Sequence, residues 1–315
     1  MDQRPITRNT HTEQITQSCL KVLDRFRFPD VVIRARDHAR QLTSPRYSAA
    51  VIDEAQDLTL TGLQLVRALV NAPDGEDKPD GLLLVGDGAQ RIYAGGFTLR
   101  QAGVEVRGRT SVLRVNYRNT DEIVAAAMAV AGEAPVDDLG EAYKRGEERA
   151  SAHRRGPRPL LVRAQNFDDQ VHAIAGSIGN FTSKDGTGAG DIAVLVPTNR
   201  MVDQVMDLLK AAGVSNQDLE KYDGKPNERV KVGTYHRGKG LEFKVVFLPG
   251  LSKGSFPRAA QPPLPEHEAE EDRQLAVSRL FVAMTRARDA LVLLYSGELS
   301  EVLTSYETSF DRRST

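Results

Sequence analysis

Cysteine occurs once, at Cys19, so neither a disulfide framework nor a multi-cysteine metal site can be built. Tryptophan is absent, and any stacking surface must come from the 8 tyrosines and 10 phenylalanines. No apolar run approaches the roughly 18 residues that a membrane span needs. The opening MDQRPITRNTHTEQ has no apolar signal core, and the cytoplasm is the expected compartment. Net charge is also nearly absent, since 42 Lys and Arg stand against 43 Asp and Glu. A balanced total does not exclude a polyanionic partner, because cations can gather on one face. What is present is a 315-residue chain, 40% hydrophobic and 27% charged, long enough for about two globular domains at roughly 150 residues each.

Short apolar runs alternate with helical patterns. Tyr47–Ile52, Leu82–Val85 and Ser111–Val115 read as strands in the first part. Leu160–Arg163, Ile192–Val196, Val230–Val232, Val245–Leu248 and Leu291–Tyr295 read as strands in the second. Helices are expected around Thr12–Phe26, Leu58–Asn71, from Asp121, and over Gln165–Gly179, Asn199–Ala212 and about Glu268–Arg288. Thr120 is the expected cap of the helix that starts at Asp121. Residues 132–159 are charged and Gly-rich, the composition of a linker or insertion. The alternation implies parallel βαβ units and an α/β fold in two lobes.

Five segments carry chemistry. Val51–Asp57 (VIDEAQD) ends a buried strand in two adjacent acids, where one carboxylate can hold Mg²⁺ and its neighbour can orient a water; alone, it fits a solvated turn equally well. Leu84–Tyr93 (LVGDGAQRIY) ends a strand in a Gly-rich loop whose glutamine can sense a phosphate, or in a simple hairpin-like turn. In LRVNYRNT, Arg118 sits on the expected exit loop of a third strand, suited to bidentate phosphate contact or to a surface ion pair. Val232–Phe243 (VGTYHRGKGLEF) crowds three glycines, a threonine and the basic residues His236, Arg237 and Lys239 between two strands, a loop able to approach a phosphate backbone closely. In LFVAMTRAR, Arg286 and Arg288 come late in a helix; either is a candidate arginine finger or a dipole-compensating helix end.

In order, DEAQD, GDGAQRIY, NYRNT, TYHRGKGLEF and VAMTRAR resemble the motifs of UvrD/Rep-like superfamily 1 DNA helicases, from about residue 47 to 296. The resemblance implies two RecA-like lobes of the P-loop NTPase type with parallel sheets, ATP bound between them and single-stranded DNA crossing both. On these lines residues 1–108 form a partial first lobe and 109–315 the second. The resemblance implies that Asp53 coordinates Mg²⁺, Glu54 acts as base for the attacking water, and Gln90 contacts the γ-phosphate. It implies that Arg118 touches the γ-phosphate, Glu242 with Gly240 beside it holds the nucleotide at the ribose, and Arg286 is the arginine finger. Thr234 and His236, supported by Lys239, would contact the DNA backbone.

Three departures from the family pattern follow. No G-x-x-x-x-G-K-[ST] occurs, and the GK pairs at Gly224-Lys225 and Gly238-Lys239 lack its frame. The expectation is therefore the carboxyl-terminal part of a 3′→5′ helicase whose phosphate loop is lost or comes from another polypeptide, with this chain alone inactive or impaired. A pseudo-helicase that binds DNA or protein without turning over ATP is the alternative. Second, the family's aromatic after the third motif is missing, leaving Tyr93 or Phe97 to stack a base. Third, about 110 residues separate NYRNT from TYHRGKGLEF, so a second lobe without a large inserted subdomain is expected.

Overall fold

A computed structural model describes residues 28–70, 81–86, 98–105, 108–111, 115–131, 151–183, 186–258 and 264–314. The helix expected over Thr12–Phe26, most of the charged segment, and Gln90, Tyr93 and Phe97 lie outside these residues. The chain divides into two compact units, residues 1–87 with 95–107, and residues 88–94 with 108–315.

In the first unit, helix α1 (Phe28–Ala39) packs on helix α2 (Leu60–Val70), and Arg36 Nη1 donates to Gln64 Oε1 at 3.2 Å between them. Strands β1 (Ala50–Ile52) and β2 (Leu82–Leu84) pair in parallel, Val51 opposite Leu83. Helix α1 went unforeseen because its apolar residues are interleaved with five charged or titratable ones in a polar surrounding.

The second unit holds β3 (Val115–Thr120), α3 (Asp121–Ala131), β4 (Ser151–Arg154), β5 (Leu160–Ala164), α4 (Phe167–Thr182), β6 (Ile192–Val196), α5 (Asn199–Ala211), β7 (Asn216–Asp218), β8 (Val230–Thr234), β9 (Phe243–Leu248), α6 (Glu266–Met284), β10 (Ala287–Ser296), α7 (Glu301–Thr304) and β11 (Asp311–Ser314). Seven strands form one sheet in the order β11-β5-β10-β9-β6-β8-β7, and every pairing is parallel. β3 and β4 form a separate parallel pair.

The central strands are apolar throughout because both faces are covered. On one face Ile192, Val194 and Val196 meet Val171, Ile174 and Ile178 of α4 and Val202, Val205 and Leu209 of α5. On the other, Ala193, Leu195, Val246, Leu248, Leu291 and Leu293 meet Ile123, Ala126 and Ala127 of α3 and Leu280–Met284 of α6. Asn166 and Thr198 cap α4 and α5, accepting the amides of Asp169 and Met201. The α/β, parallel-sheet expectation therefore stands.

Several local expectations change. NYRNT is not an exit loop; it is most of β3, so Arg118 projects from a strand. Thr120 ends that strand with its buried hydroxyl unpartnered, and it does not cap α3. The segment read as linker to residue 159 contains β4. α6 stops at Met284, four residues earlier than its helical pattern, and Arg286 lies just before β10. The reason is tertiary: the Arg286 carbonyl accepts Phe243 N–H at 3.0 Å, and the Thr285 and Ala287 carbonyls accept Asn119 Nδ2 at 2.9 and 2.6 Å, replacing further helical hydrogen bonds.

Leu195, fully buried at the middle of the sheet, is a direct reporter of this core. Leu195→Ala is expected to cost about 2–5 kcal/mol. The urea midpoint should fall with its slope unchanged, which equilibrium unfolding followed by circular dichroism would check.

Candidate functional site

In the first unit the acidic pair follows β1 directly. Glu54 is the one non-glycine among the described residues with positive φ (53°, ψ 42°), a left-handed conformation that costs an ordinary residue about 1 kcal/mol. Surrounding bonds hold it there: Glu54 N–H donates to Asp53 Oδ1 at 2.9 Å, Ala55 N–H to the Val85 carbonyl at 2.9 Å, and Asp57 N–H to the Glu54 carbonyl at 2.9 Å. Gln56 Nε2 donates to the Glu54 carboxylate. A Cβ at Gly86 would stand 2.6 Å from Gln56 Oε1, so a larger residue there would push that side-chain amide aside. The result is an exposed carboxylate pair in a fixed turn.

In the second unit, register gathers three segments that are far apart in sequence. Ala287 pairs with Phe243, which sets their predecessors Arg286 and Glu242 at the amino edge of the sheet. Arg118 Nε reaches Glu242 Oε1 at 2.6 Å, an ion pair more than a third exposed on both sides and so worth about 0–1 kcal/mol. Arg286 is 2% exposed; its Nε donates to the Val282 carbonyl at 3.0 Å and its Nη2 to Thr285 Oγ1 at 3.2 Å. Behind them Arg154 Nη1 donates to the carbonyls of Arg118 (3.0 Å) and Arg288 (3.3 Å), and its guanidinium pairs with Asp289. Burial alone would raise the Asp289 pKa, but the hydrogen bonds from Arg288 and Arg154 hold it below the usual carboxylate value.

Residues 234–242 join β8 to β9. Thr234 is buried and its Oγ1 accepts Arg237 N–H at 3.3 Å, so the hydroxyl braces the turn. Tyr235 is buried in the core, edge-on to Phe256 with centroids 5.9 Å apart. Gly240 has φ 77° with open space around it, a conformation that L side chains avoid. His236 is half-buried and titrates below its usual 6.5: burial disfavours the charged ring, and Arg279 and Lys239 add like charge. It is a neutral ring at pH 7. Lys239 is half-buried one turn on, its N–H donating to the His236 carbonyl at 3.2 Å.

Sequence comparison bears on this arrangement. Residues 8–104 match the UvrD/REP helicase N-terminal domain, and residues 198–298 match the UvrD-like helicase C-terminal domain. The two occur in that order, with NYRNT between them. The chain belongs to the UvrD/Rep-like helicase family. A probable DNA helicase of Mycoplasma pneumoniae is 26% identical over 297 residues, 88% of this chain and 50% of that protein. ATP-dependent DNA helicase UvrD1 of Mycobacterium tuberculosis is 30% identical over 189 residues, 58% of this chain and 24% of the relative. PcrA of Bacillus subtilis is 38% identical over 87 residues, 28% and 11% respectively. The chain thus spans half the length of the Mycoplasma relative and smaller shares of the other two. Among solved structures, the C-terminal domain of a possible DNA helicase from Lactobacillus overlays with a TM-score of 0.46 at 20% identity, over 62% of this chain and 98% of that one.

Within this UvrD/Rep-like chain the structure brings Arg118, Glu242 and Arg286 together, with Gly240 two residues before Glu242 on the connecting loop. Thr234, His236 and Lys239 lie on that loop, starting from the carboxyl end of β8. Asp53 and Glu54 sit in the first unit. Asn116, Asn119 and Arg154, which carry much of the hydrogen bonding at the site, were not anticipated. The signal for the asparagines was there, as two buried-type amides three apart around Arg118, but it has meaning only once NYRNT is a strand.

His236 gives a pH signature. Because its folded-state value is below 6.5, the unfolded chain takes up the proton first on acidification, so stability from this group is present above pH 6.5 and is lost as pH falls through the lowered value. His236→Gln should therefore unfold at a progressively higher temperature relative to wild type as pH drops from about 7 to about 5. A difference that stays constant over that range, in a series of thermal melts, would contradict the assignment.

Proposed function

We propose that this chain is the motor portion of a UvrD-like DNA helicase or translocase that uses ATP and Mg²⁺ to move along single-stranded DNA, in the 3′→5′ sense by family analogy. The observation that carries the reading is the Arg118–Glu242 ion pair beside Arg286, three residues drawn from three separate motifs. An exposed pair of this kind is weak, so nucleotide can exchange it at little cost: Glu242 turns to the ribose hydroxyls and Arg118 to the γ-phosphate. Arg286 adds a second guanidinium for charge that develops on the transferring phosphoryl group.

Among the described residues no three His, Cys, Asp or Glu gather in a metal cage. A nucleotide-borne Mg²⁺ would need only one or two protein carboxylates. Asp53 is the residue assigned to it, and Glu54 takes the proton of the attacking water. Mg²⁺, when bound, neutralises phosphate charge. Gln90 is assigned to the γ-phosphate. Tyr93 or Phe97 would stack a base, while Thr234, His236 and Lys239 are assigned to the DNA backbone, His236 as a neutral N–H donor.

Residues 1–108 and 109–315 are proposed as the partial first lobe and the second lobe. No G-x-x-x-x-G-K-[ST] occurs within the 315 residues, so hydrolysis by this route draws the phosphate loop from further polypeptide. That same observation favours a second reading, a pseudo-helicase that binds DNA or a protein partner without turnover. No helix among the described residues is long and apolar enough to cross a membrane, and the cytoplasm is the proposed location.

ATP hydrolysis with and without single-stranded DNA tests the proposal. The chain should bind single strands with an affinity that falls steeply with salt. Supplied with a polypeptide carrying the phosphate loop, it should show DNA-stimulated turnover that Arg286→Ala lowers by about 10³-fold or more. DNA binding with no turnover under either condition favours the second reading. Turnover indifferent to Arg286→Ala sinks the first.

A further inference from the structure

We infer that Asn119 is the positioning residue for Arg286 and that, through Asn116, it ties the Arg286 turn to the backbone of Arg118, so the Arg286 guanidinium and the strand that carries Arg118 are set before nucleotide arrives. This rests on the nucleotide reading of those two arginines; the hydrogen-bond relay itself does not.

The Asn119 side chain is fully used. It is 2% exposed, and its two Nδ2 hydrogens go to the carbonyls of Thr285 (2.9 Å) and Ala287 (2.6 Å), the residues on either side of Arg286. Because both targets are acceptors, only the Nδ2-inward orientation of the amide fits. Its Oδ1 accepts Asn116 Nδ2 at 3.0 Å. Asn116 Oδ1 in turn accepts the N–H groups of Arg118 (2.8 Å) and Asn119 (3.0 Å). An unbroken line of hydrogen bonds therefore runs from the backbone of Arg118 through two amide side chains to the backbone flanking Arg286.

A neutral amide is the chemistry this place requires. Arg118, Arg154, Arg286 and Arg288 already crowd the neighbourhood, with Glu242 and Asp289 as counter-charges. A lysine or arginine at 119 would add repulsion, and an aspartate would set a carboxylate against two carbonyl oxygens. The clamp also marks where α6 must end: with Thr285 and Ala287 carbonyls drawn to Asn119, the guanidinium of Arg286 folds back on the last helical turn and bonds Val282. A residue serving only to fasten β3 to β10 could use any strand pairing. This one grips the carbonyls of the two residues that flank Arg286, one of them in the peptide that enters it.

The test reads that side chain directly in the full-length chain. With ¹⁵N-labelled arginine, the Arg286 Nε–H should exchange slowly with water in the wild type. It should exchange at least about tenfold faster in Asn119→Ala and in Asn119→Asp, the factor that about 1.4 kcal/mol gives, while the β6 amides keep their protection. Unchanged Arg286 Nε–H exchange in a folded Asn119 variant overturns the proposal. Asn116→Ala, at a half-buried position, serves if the Asn119 variants do not fold; the Arg118 amide should then exchange at least about tenfold faster, and an unchanged rate overturns the tie between the arginines.

A second measurement uses a fluorescent ATP analogue with Mg²⁺. Asn119→Ala should weaken binding, and the Asn119→Ala/Arg286→Ala double variant should bind no worse than Arg286→Ala alone. Losses that multiply overturn the positioning role. Absence of binding by the wild type instead sinks the nucleotide reading, with the exchange rates still deciding the relay.

Discussion

Because β8 and β9 run parallel within one sheet, the chain that leaves β8 at Thr234 must travel from the carboxyl edge to the amino edge before entering β9 at Phe243. Neighbouring register shows both ends of that journey: Thr234 lies beside Val196, the last residue of β6, and Val245 beside Ile192, the first. The basic end of TYHRGKGLEF and its acidic end therefore sit on opposite edges of the sheet. Between them Tyr235 is driven into the core and Gly238 packs against Leu195, where a Cβ would come within 2.9 Å. The proposed DNA-facing and nucleotide-facing residues are thus two ends of one short connector that is anchored in the hydrophobic core. A shift at Glu242 has little slack in which to dissipate before it reaches His236, since packed cores deform in discrete steps.

Electrostatics at the amino edge follow from the same register. Four guanidinium groups, those of Arg118, Arg154, Arg286 and Arg288, face two carboxylates, Glu242 and Asp289. Peptide carbonyls, the Thr285 hydroxyl and two asparagine amides supply further contacts. An excess of fixed positive charge held by neutral dipoles suits the polyphosphate that we propose binds there, since the fold has already met the reorganisation cost. Glu242 and Arg118 remain near the surface, and Arg286 is packed beneath. The arrangement separates an exchangeable layer from a fixed one.

Much of this was legible in the sequence, and the failures have physical causes. Ile192–Val196 was read to the residue because a doubly covered parallel strand needs apolar side chains on both faces. β7 (NQD) and β11 (DRRS) are edge strands with polar side chains and carry no such signal. β3 looked like a loop because its residues serve hydrogen bonds instead of a core: Asn119 finds its partners at the α6–β10 turn, and the Arg118 carbonyl finds Arg154, both far along the chain. The end of α6 was misplaced for the same reason. Helical periodicity continues to about Arg288, and the bonds that Phe243 and Asn119 make to the carbonyls of residues 285–287 end it earlier. The conformation of Glu54 could not be read from DEAQD either, since it depends on Val85 from β2's end. Motif identity gave the candidate residues; long-range register gave their geometry.

Hydrogen exchange by mass spectrometry, with and without ATP and Mg²⁺, tests the central claim most directly: that a nucleotide half-site is already assembled at the amino edge of the second unit's sheet. The account predicts added protection confined within that unit to peptides covering residues 115–120, 238–243 and 284–288, with the interior strands unchanged. Protection concentrated elsewhere in the unit, or a general tightening of the whole sheet, would contradict it.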